Sequence, residues 1–219
     1  MNTITLAQLV STLEEENLLV KAPANEMLAT TIAGAACDSR VVRPGNLFIC
    51  KGVAFRSSFL VAAQKAGAVA YLCDEAHAQE LHDILPDMPA LVVNDVRRAM
   101  ALVSADAWGH PDLHLDVLGV TGTKGKSTVA YMVRSILEGN DPYSRAAIMG
   151  SIETYDGIER EESHNTTPEA PDLWRHLANA VKSGHNPVVM EVSSHGLKYD
   201  RVLGLHLAIG GWLNIGRDH

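Results

Sequence analysis

Neither half of this 219-residue chain carries an excess of positive charge. The formal net charge is −8 and divides evenly, with 8 basic against 12 acidic residues over 1–110 and 10 against 14 over 111–219. The electrostatic footprint of a nucleic-acid binder is therefore missing. A polyanionic ligand would have to be met by local donors and a counter-cation. Cysteine is scarce: Cys37, Cys50 and Cys73 are odd in number and share no ligand spacing. That pattern argues against a disulfide framework or a thiolate metal site and for reduced, buried thiols. No apolar stretch is long enough to span a bilayer. The opening Met1-Asn-Thr-Ile-Thr-Leu6 lacks the charged and apolar regions of a signal peptide, so a cytoplasmic protein is expected. Repeats and low-complexity segments are absent as well. What remains is a chain 47% apolar and 20% charged, long enough for one large domain or two small ones.

Apolar spacing divides that chain. Leu6, Leu9, Val10 and Leu13 predict an opening amphipathic helix. Strand-like runs at Leu47–Cys50, Ala68–Leu72 and Ala90–Val93 then alternate with helical patterns at Phe59–Ala66, Ala78–Leu85 and Val96–Ala107. This is the signature of a small α/β unit. Gly109-His-Pro-Asp112 breaks the last helix, so the domains are expected over 1–110 and 111–219. Pro111 keeps His110 and His114 off a common helix face, and both read as solvated loop residues. The second unit offers apolar runs at Ala147–Met149, Val188–Val192 and Leu207–Ile215, suited to a buried parallel sheet. A helix is expected near Pro168–Ser183, with Thr167 as N-cap and Pro168 at its first position. The charged Glu159-Arg-Glu-Glu162 reads as a solvated loop.

The strongest functional signal is Gly119-Val-Thr-Gly-Thr-Lys-Gly-Lys-Ser-Thr128. An apolar run (Leu115, Val117, Leu118, Val120) leads into it, and a helix-patterned run (Val129, Met132, Val133, Ile136, Leu137) follows. Strand, glycine loop and helix in that order leave backbone N–H groups and a helix N-terminus free to hold phosphate. Lys126 would reach the β and γ phosphates and the Ser127 hydroxyl would ligate Mg2+. Val120 stands where a full phosphate-loop pattern has its first glycine; a Gly/Lys-rich surface turn is the competing reading. Glu191 ends a strand-like run, where a carboxylate is placed to ligate Mg2+ directly or through water. His219 ends the next run and could approach the same ion; His195 reads as a structural turn residue. Asn165-Thr-Thr-Pro168 could cradle an anion or sugar, or simply start a helix. Asp38-Ser-Arg40 could be a turn with a local ion pair or a diphosphate pocket. The last residues, Asn214–His219, fall where an open α/β sheet binds its ligand, which suggests a fragment of a longer protein.

Together, Thr121–Thr128, Asn165–Pro168, Glu191-Val-Ser-Ser-His-Gly196 with Arg201, and Asn214-x-x-Arg-Asp-His219 resemble the Mur ligases in order and spacing. Asp38-Ser-Arg40 followed by Pro44-Gly-x-Leu-Phe48 and Lys51-Gly52 resembles that family's uridine-nucleotide domain. The resemblance covers essentially the whole chain. It implies a small N-terminal α/β uridine-nucleotide domain followed by part of a P-loop-type central domain with a mainly parallel sheet. It further implies ATP and Mg2+ on Gly122, Thr123, Lys124, Gly125, Lys126, Ser127 and Thr128, with Ser127, Glu191 and His219 as metal ligands. Lys126, Glu191 and His219 would be the catalytic set. Ser39 would contact the uridine diphosphate, and Asn165, Thr166, Thr167, Ser193 and Arg201 the sugar-peptide part of the substrate. The implied reaction is ATP-dependent addition of an amino acid to a UDP-N-acetylmuramoyl dipeptide, with no nucleic-acid or membrane partner and a monomer expected. This chain departs from the family pattern at Lys124 (usually asparagine), at Arg56-Ser57-Ser58 among the uridine contacts, at Tyr199 and at Gly216. Other readings are a non-catalytic nucleotide- or UDP-sugar-binding module, a degenerate paralogue, a folylpolyglutamate-type ligase, which leaves Asp38–Arg40 unexplained, and a P-loop kinase, which leaves Asn165–Pro168 unexplained.

Overall fold

The computed structural model describes residues 4–139 and 145–216. Two compact units divide at residues 109 and 110. The first is an α/β layer. Its sheet contains β2 (Leu19–Lys21), β4 (Gly34–Ala36), β5 (Asn46–Ile49), β6 (Ala70–Asp74) and β7 (Ala90–Val93) in the order β2-β7-β6-β5-β4. β4 to β7 run parallel and β2 antiparallel; β1 (Ile4–Thr5) and β3 (Thr31–Ile32) form a separate pair. Helix α1 (Leu6–Glu15) buries the predicted Leu6, Leu9, Val10 and Leu13, and packs against α4 (Val96–Trp108). Helices α2 (Ser57–Lys65) and α3 (Glu75–Ile84) bury Leu60 and Leu81 with Phe48, Tyr71 and Val92 of the sheet. Local chemistry sets the helix starts. The Asp74 carboxylate accepts from His77 N at the start of α3, and Asp95 accepts from Arg97 N and Arg98 N at the start of α4. Cys50 and Cys73 are buried as expected and Cys37 is partly exposed; none forms a disulfide.

The second unit holds a six-stranded sheet in the order β11-β10-β9-β12-β8-β13. Its strands are β8 (Val117–Thr121), β9 (Ala147–Met149), β10 (Glu153–Tyr155), β11 (Arg160–Glu162), β12 (Val188–Glu191) and β13 (Ile209–Trp212). β9, β12, β8 and β13 are parallel, and β10 and β11 form an antiparallel hairpin. Helix α5 (Lys126–Glu138) packs on β8, β9 and β12. Helix α6 (Ala170–Ser183) buries Leu173, Trp174, Leu177 and Ala180 at helical spacing. A short α7 (Ser194–Lys198) follows β12.

The structure corrects several sequence expectations. Helix α6 is capped at Glu169, with Pro171 in its first turn, rather than at Thr167 with Pro168. The Thr167 hydroxyl is drawn away by tertiary contacts, donating to Glu191 O at 3.0 Å and accepting from Ser193 N at 2.9 Å. Arg160–Glu162 is an exposed edge strand rather than a loop; its charges sit where they discourage pairing with another chain. The last apolar run is a strand only over Ile209–Trp212, because residues 213–216 turn toward the loop after β8. His110 is half-buried, its ring edge-on to Trp174 at 5.9 Å, whereas His114 is exposed.

Candidate functional site

The glycine loop lies between β8 and α5, as its flanking periodicity requires. Gly125 adopts φ +88° at the start of α5, a conformation that a residue with a Cβ reaches only under strain. Lys126 folds its ammonium back into the loop, donating to Gly122 O at 2.7 Å and Thr123 O at 3.4 Å. Those carbonyls mark a seat for a cation at the mouth of an anion-binding turn. Residues 213–216 fasten the loop from the side of β13. Thr123 N donates to Asn214 O at 3.2 Å and Lys124 N to Asn214 Oδ1 at 3.1 Å, and Asn214 Nδ2 donates to Lys124 O at 2.9 Å. The Lys124 side chain and Thr128 are exposed.

Strand order then decides what faces the loop. β12 is the neighbour of β8, in a register that pairs Glu191 with Val120. Glu191 as a residue is only 1% exposed, yet among the described residues its carboxylate has no ion-pair partner. It accepts instead from Ser127 Oγ at 3.1 Å, Ser151 N at 2.8 Å and Ser151 Oγ at 3.2 Å. An ionised carboxylate taken out of water is costly unless a cation or hydrogen bonds compensate it. Hydroxyl and carboxylate oxygens are the donors a hard divalent ion such as Mg2+ selects, so Ser127 and Glu191 fit that ion. His219 lies outside the described residues.

Ser151 was not singled out from sequence. The available signal was Gly150-Ser151 directly after the apolar run Ala147–Met149, the end of a strand in the same sheet. Gly150 is required there, because a Cβ at this position would overlap Glu191 Oε1.

A cleft of about 820 Å³ joins the loop to other predicted residues. Its lining includes Gly122, Thr123 and Lys126 of the loop together with Asn165, Thr166, Ser193 and Arg201. His195, read from sequence as a turn residue, also lines it, with its ring 5.8 Å from Tyr199. Thr167 is fully buried and braces residues 191–193 rather than lining the cleft. Arg201 donates to Thr167 O at 3.0 Å and pairs with Glu169 at 2.7 Å, so much of its charge is engaged by the loop that precedes α6.

In the first unit, Ser39 sits half-buried in a turn where Arg40 chelates Asp38; these hydrogen bonds hold the Asp38 carboxyl below its ordinary range. The local ion pair weighed from sequence is present. A smaller cleft of about 290 Å³, lined by Lys51, Gly52, Asp74, Asn94 and Asp95, lies at the carboxyl ends of β5 to β7. Arg56, Ser57 and Ser58 begin α2. A second acidic–histidine group, Asp156, Glu159 and His176, brings its ligand atoms within 4.8 Å of one another. Its groups are already engaged: His176 with Asp156 and Glu161, and Glu159 with Arg175.

Comparison with known proteins agrees with this geometry. Residues 120–219 match the Mur ligase middle domain. The UDP-N-acetylmuramyl-tripeptide synthetase of Lactobacillus delbrueckii subsp. bulgaricus is 36% identical over 219 residues, 99% of this chain and 41% of that protein. The UDP-N-acetylmuramoyl-L-alanyl-D-glutamate–L-lysine ligase of Streptococcus suis is 39% identical over 182 residues, 83% of this chain and 36% of that protein. Among solved structures, a UDP-N-acetylmuramoyl-L-alanyl-D-glutamate–2,6-diaminopimelate ligase aligns with TM-score 0.71 and 25% identity, over 99% of this chain and 41% of its own. The MurF of Acinetobacter baumannii aligns with TM-score 0.60 and 21% identity over 100% of this chain and 42% of its own, a likeness of fold. The chain thus spans about 41% of the length of the curated relatives it matches over nearly its whole sequence. A phosphate loop facing a strand-end carboxylate, matched in sequence and in fold, makes this chain a member of the Mur ligase family.

Proposed function

We propose that the chain provides the nucleotide- and substrate-holding parts of an ATP-dependent ligase that adds an amino acid to a UDP-N-acetylmuramoyl dipeptide in peptidoglycan synthesis in the cytoplasm. The observation that carries this reading is the buried Glu191 carboxylate meeting the Ser127 hydroxyl of the phosphate loop at 3.1 Å, beside a cleft shared with Asn165, Thr166, Ser193 and Arg201. The names of the relatives differ in the amino acid they add, lysine in one and diaminopimelate in another.

A carboxylate is a poor acyl donor because its leaving group would be an oxide. In the proposed reaction an oxygen of the dipeptide's terminal D-glutamyl carboxylate attacks the γ-phosphorus of ATP, the β–γ bridge breaks and ADP leaves. The acyl phosphate so formed is attacked at its carbonyl carbon by the amine of the incoming amino acid. Phosphate departs and the amine loses a proton. Phosphoryl transfer needs positioning and charge neutralisation more than covalent help from the protein. Gly122 to Thr128 would position the triphosphate, and Lys126 would leave its carbonyl seat to meet the β and γ phosphates. Mg2+, held by Ser127, Glu191 and His219, would neutralise charge on the transferred group. Asn165, Thr166, Ser193 and Arg201 would orient the sugar-peptide, with Thr167 bracing them from behind. Ser39 and the first unit would hold the uridine diphosphate.

Calorimetry on the 219-residue chain tests this. Mg·ADP and the UDP-muramoyl dipeptide should each bind. Lys126→Ala should weaken Mg·ADP by roughly 10- to 100-fold, the worth of a lost charge-assisted hydrogen bond. Binding of neither ligand would overturn the reading.

A further inference from the structure

We propose that Ser151 is an oxygen ligand of the divalent cation assigned to Ser127 and Glu191, an inference that rests on the reading of those two residues as its ligands. Two hydroxyls flank a single carboxylate oxygen: Ser127 Oγ lies 3.1 Å and Ser151 Oγ 3.2 Å from Glu191 Oε2. Adjacent ligands of an octahedral Mg2+ with bonds of 2.0–2.1 Å stand about 2.9 Å apart, so both hydroxyls are at the spacing of neighbouring corners. The backbone holds Ser151 there, because its own N–H donates to Glu191 Oε1 at 2.8 Å and Gly150 lets β9 approach the carboxylate.

The Ser151 hydroxyl has one proton and two acceptors, Glu191 Oε2 and Thr166 Oγ1, the latter at 3.0 Å. With Glu191 Oε2 turned to a cation, the proton goes to Thr166 and a lone pair of Ser151 Oγ is left facing the ion. Thr166 lines the cleft, so the same hydroxyl ties the cation to the wall assigned to the sugar-peptide. Ser151 is exposed, which leaves its oxygen accessible to an incoming ion.

Uptake of Mn2+ measures this directly, through the electron paramagnetic resonance of the free ion, using the 219-residue chain with ADP present. Ser151→Ala should weaken Mn2+ binding about tenfold, while Ser151→Thr, which keeps the hydroxyl, should stay within about twofold of the parent. Binding of ADP in EDTA should be the same for all three. Unchanged Mn2+ affinity in Ser151→Ala, with the parent binding normally, overturns the role of Ser151 alone. An equal loss of ADP binding in EDTA also overturns it, by showing a packing role. A parent chain that takes up no Mn2+ with ADP removes both this inference and the nucleotide reading beneath it.

Discussion

Gly150 illustrates how little tolerance surrounds the buried carboxylate. An added methyl would meet Glu191 Oε1, and the neighbour that must give way is a charged group fixed by Ser127 and Ser151. Gly150→Ala should therefore cost about tenfold in Mg·ADP affinity, measured by calorimetry, with the chain still folded by circular dichroism. Unaltered affinity would mean that the carboxylate does not serve the nucleotide. Asp156 makes a second case. Burial alone would push its carboxyl up, but donors on His176, Asn179 and Ile158 N hold it below the ordinary 3.8. A lowered carboxyl contributes stability that is complete above the unfolded value and is lost as pH falls through the folded one. Urea midpoints of the parent should drop below about pH 4 more steeply than those of Asp156→Asn, which should be weaker by about 1–3 kcal/mol at neutral pH.

Helix α6 and the phosphate loop were readable from sequence for different reasons. The loop is a local object: its glycines, its lysine and the change of apolar period around it all lie between Leu115 and Leu137. Helix α6 was expected near Pro168–Ser183 from its start signals, and its body lies there, but it begins at Ala170 because Thr167 serves Glu191 and Ser193, partners 24 and 26 positions away. Strands β10 and β11 escaped notice because they are three residues each and β11 is fully exposed, which leaves no apolar alternation to read. The buried face of α6 makes a prediction. Trp174 is fully buried and its Nε1 has no hydrogen-bond partner among the described residues, so its value is packing. Trp174→Ala should cost about 3–5 kcal/mol in urea unfolding and Trp174→Phe clearly less; equal losses would assign the indole N–H a role the structure does not give it.

Taken whole, the molecule has two separately cored units, and residues 1–109 own a complete sheet with helices packed on it. A chain of residues 1–109 should therefore unfold in a single cooperative transition by circular dichroism. All three cysteines report on that unit. Burial raises the Cys73 thiol to about 12, and Cys50 higher still, whereas Cys37 is partly exposed. A thiol reagent at pH 8 should modify Cys37 first and reach Cys50 and Cys73 only on unfolding. Prompt reaction of all three would mean that the sheet opens readily. Reading the residues in order was enough to assign an α/β class, to place a phosphate loop between strand and helix and to mark Glu191 as a strand-end carboxylate. Those features depend on neighbours in the chain, through side-chain period, glycine freedom and capping. Only the packed sheet decided that Ser127 and Ser151 meet Glu191, 64 and 40 positions further along the chain, because the order β9-β12-β8 sets the end of β12 between the segments that follow β8 and β9. Strand order is chosen by the burial of whole faces, a sum over distant residues that no local pattern records.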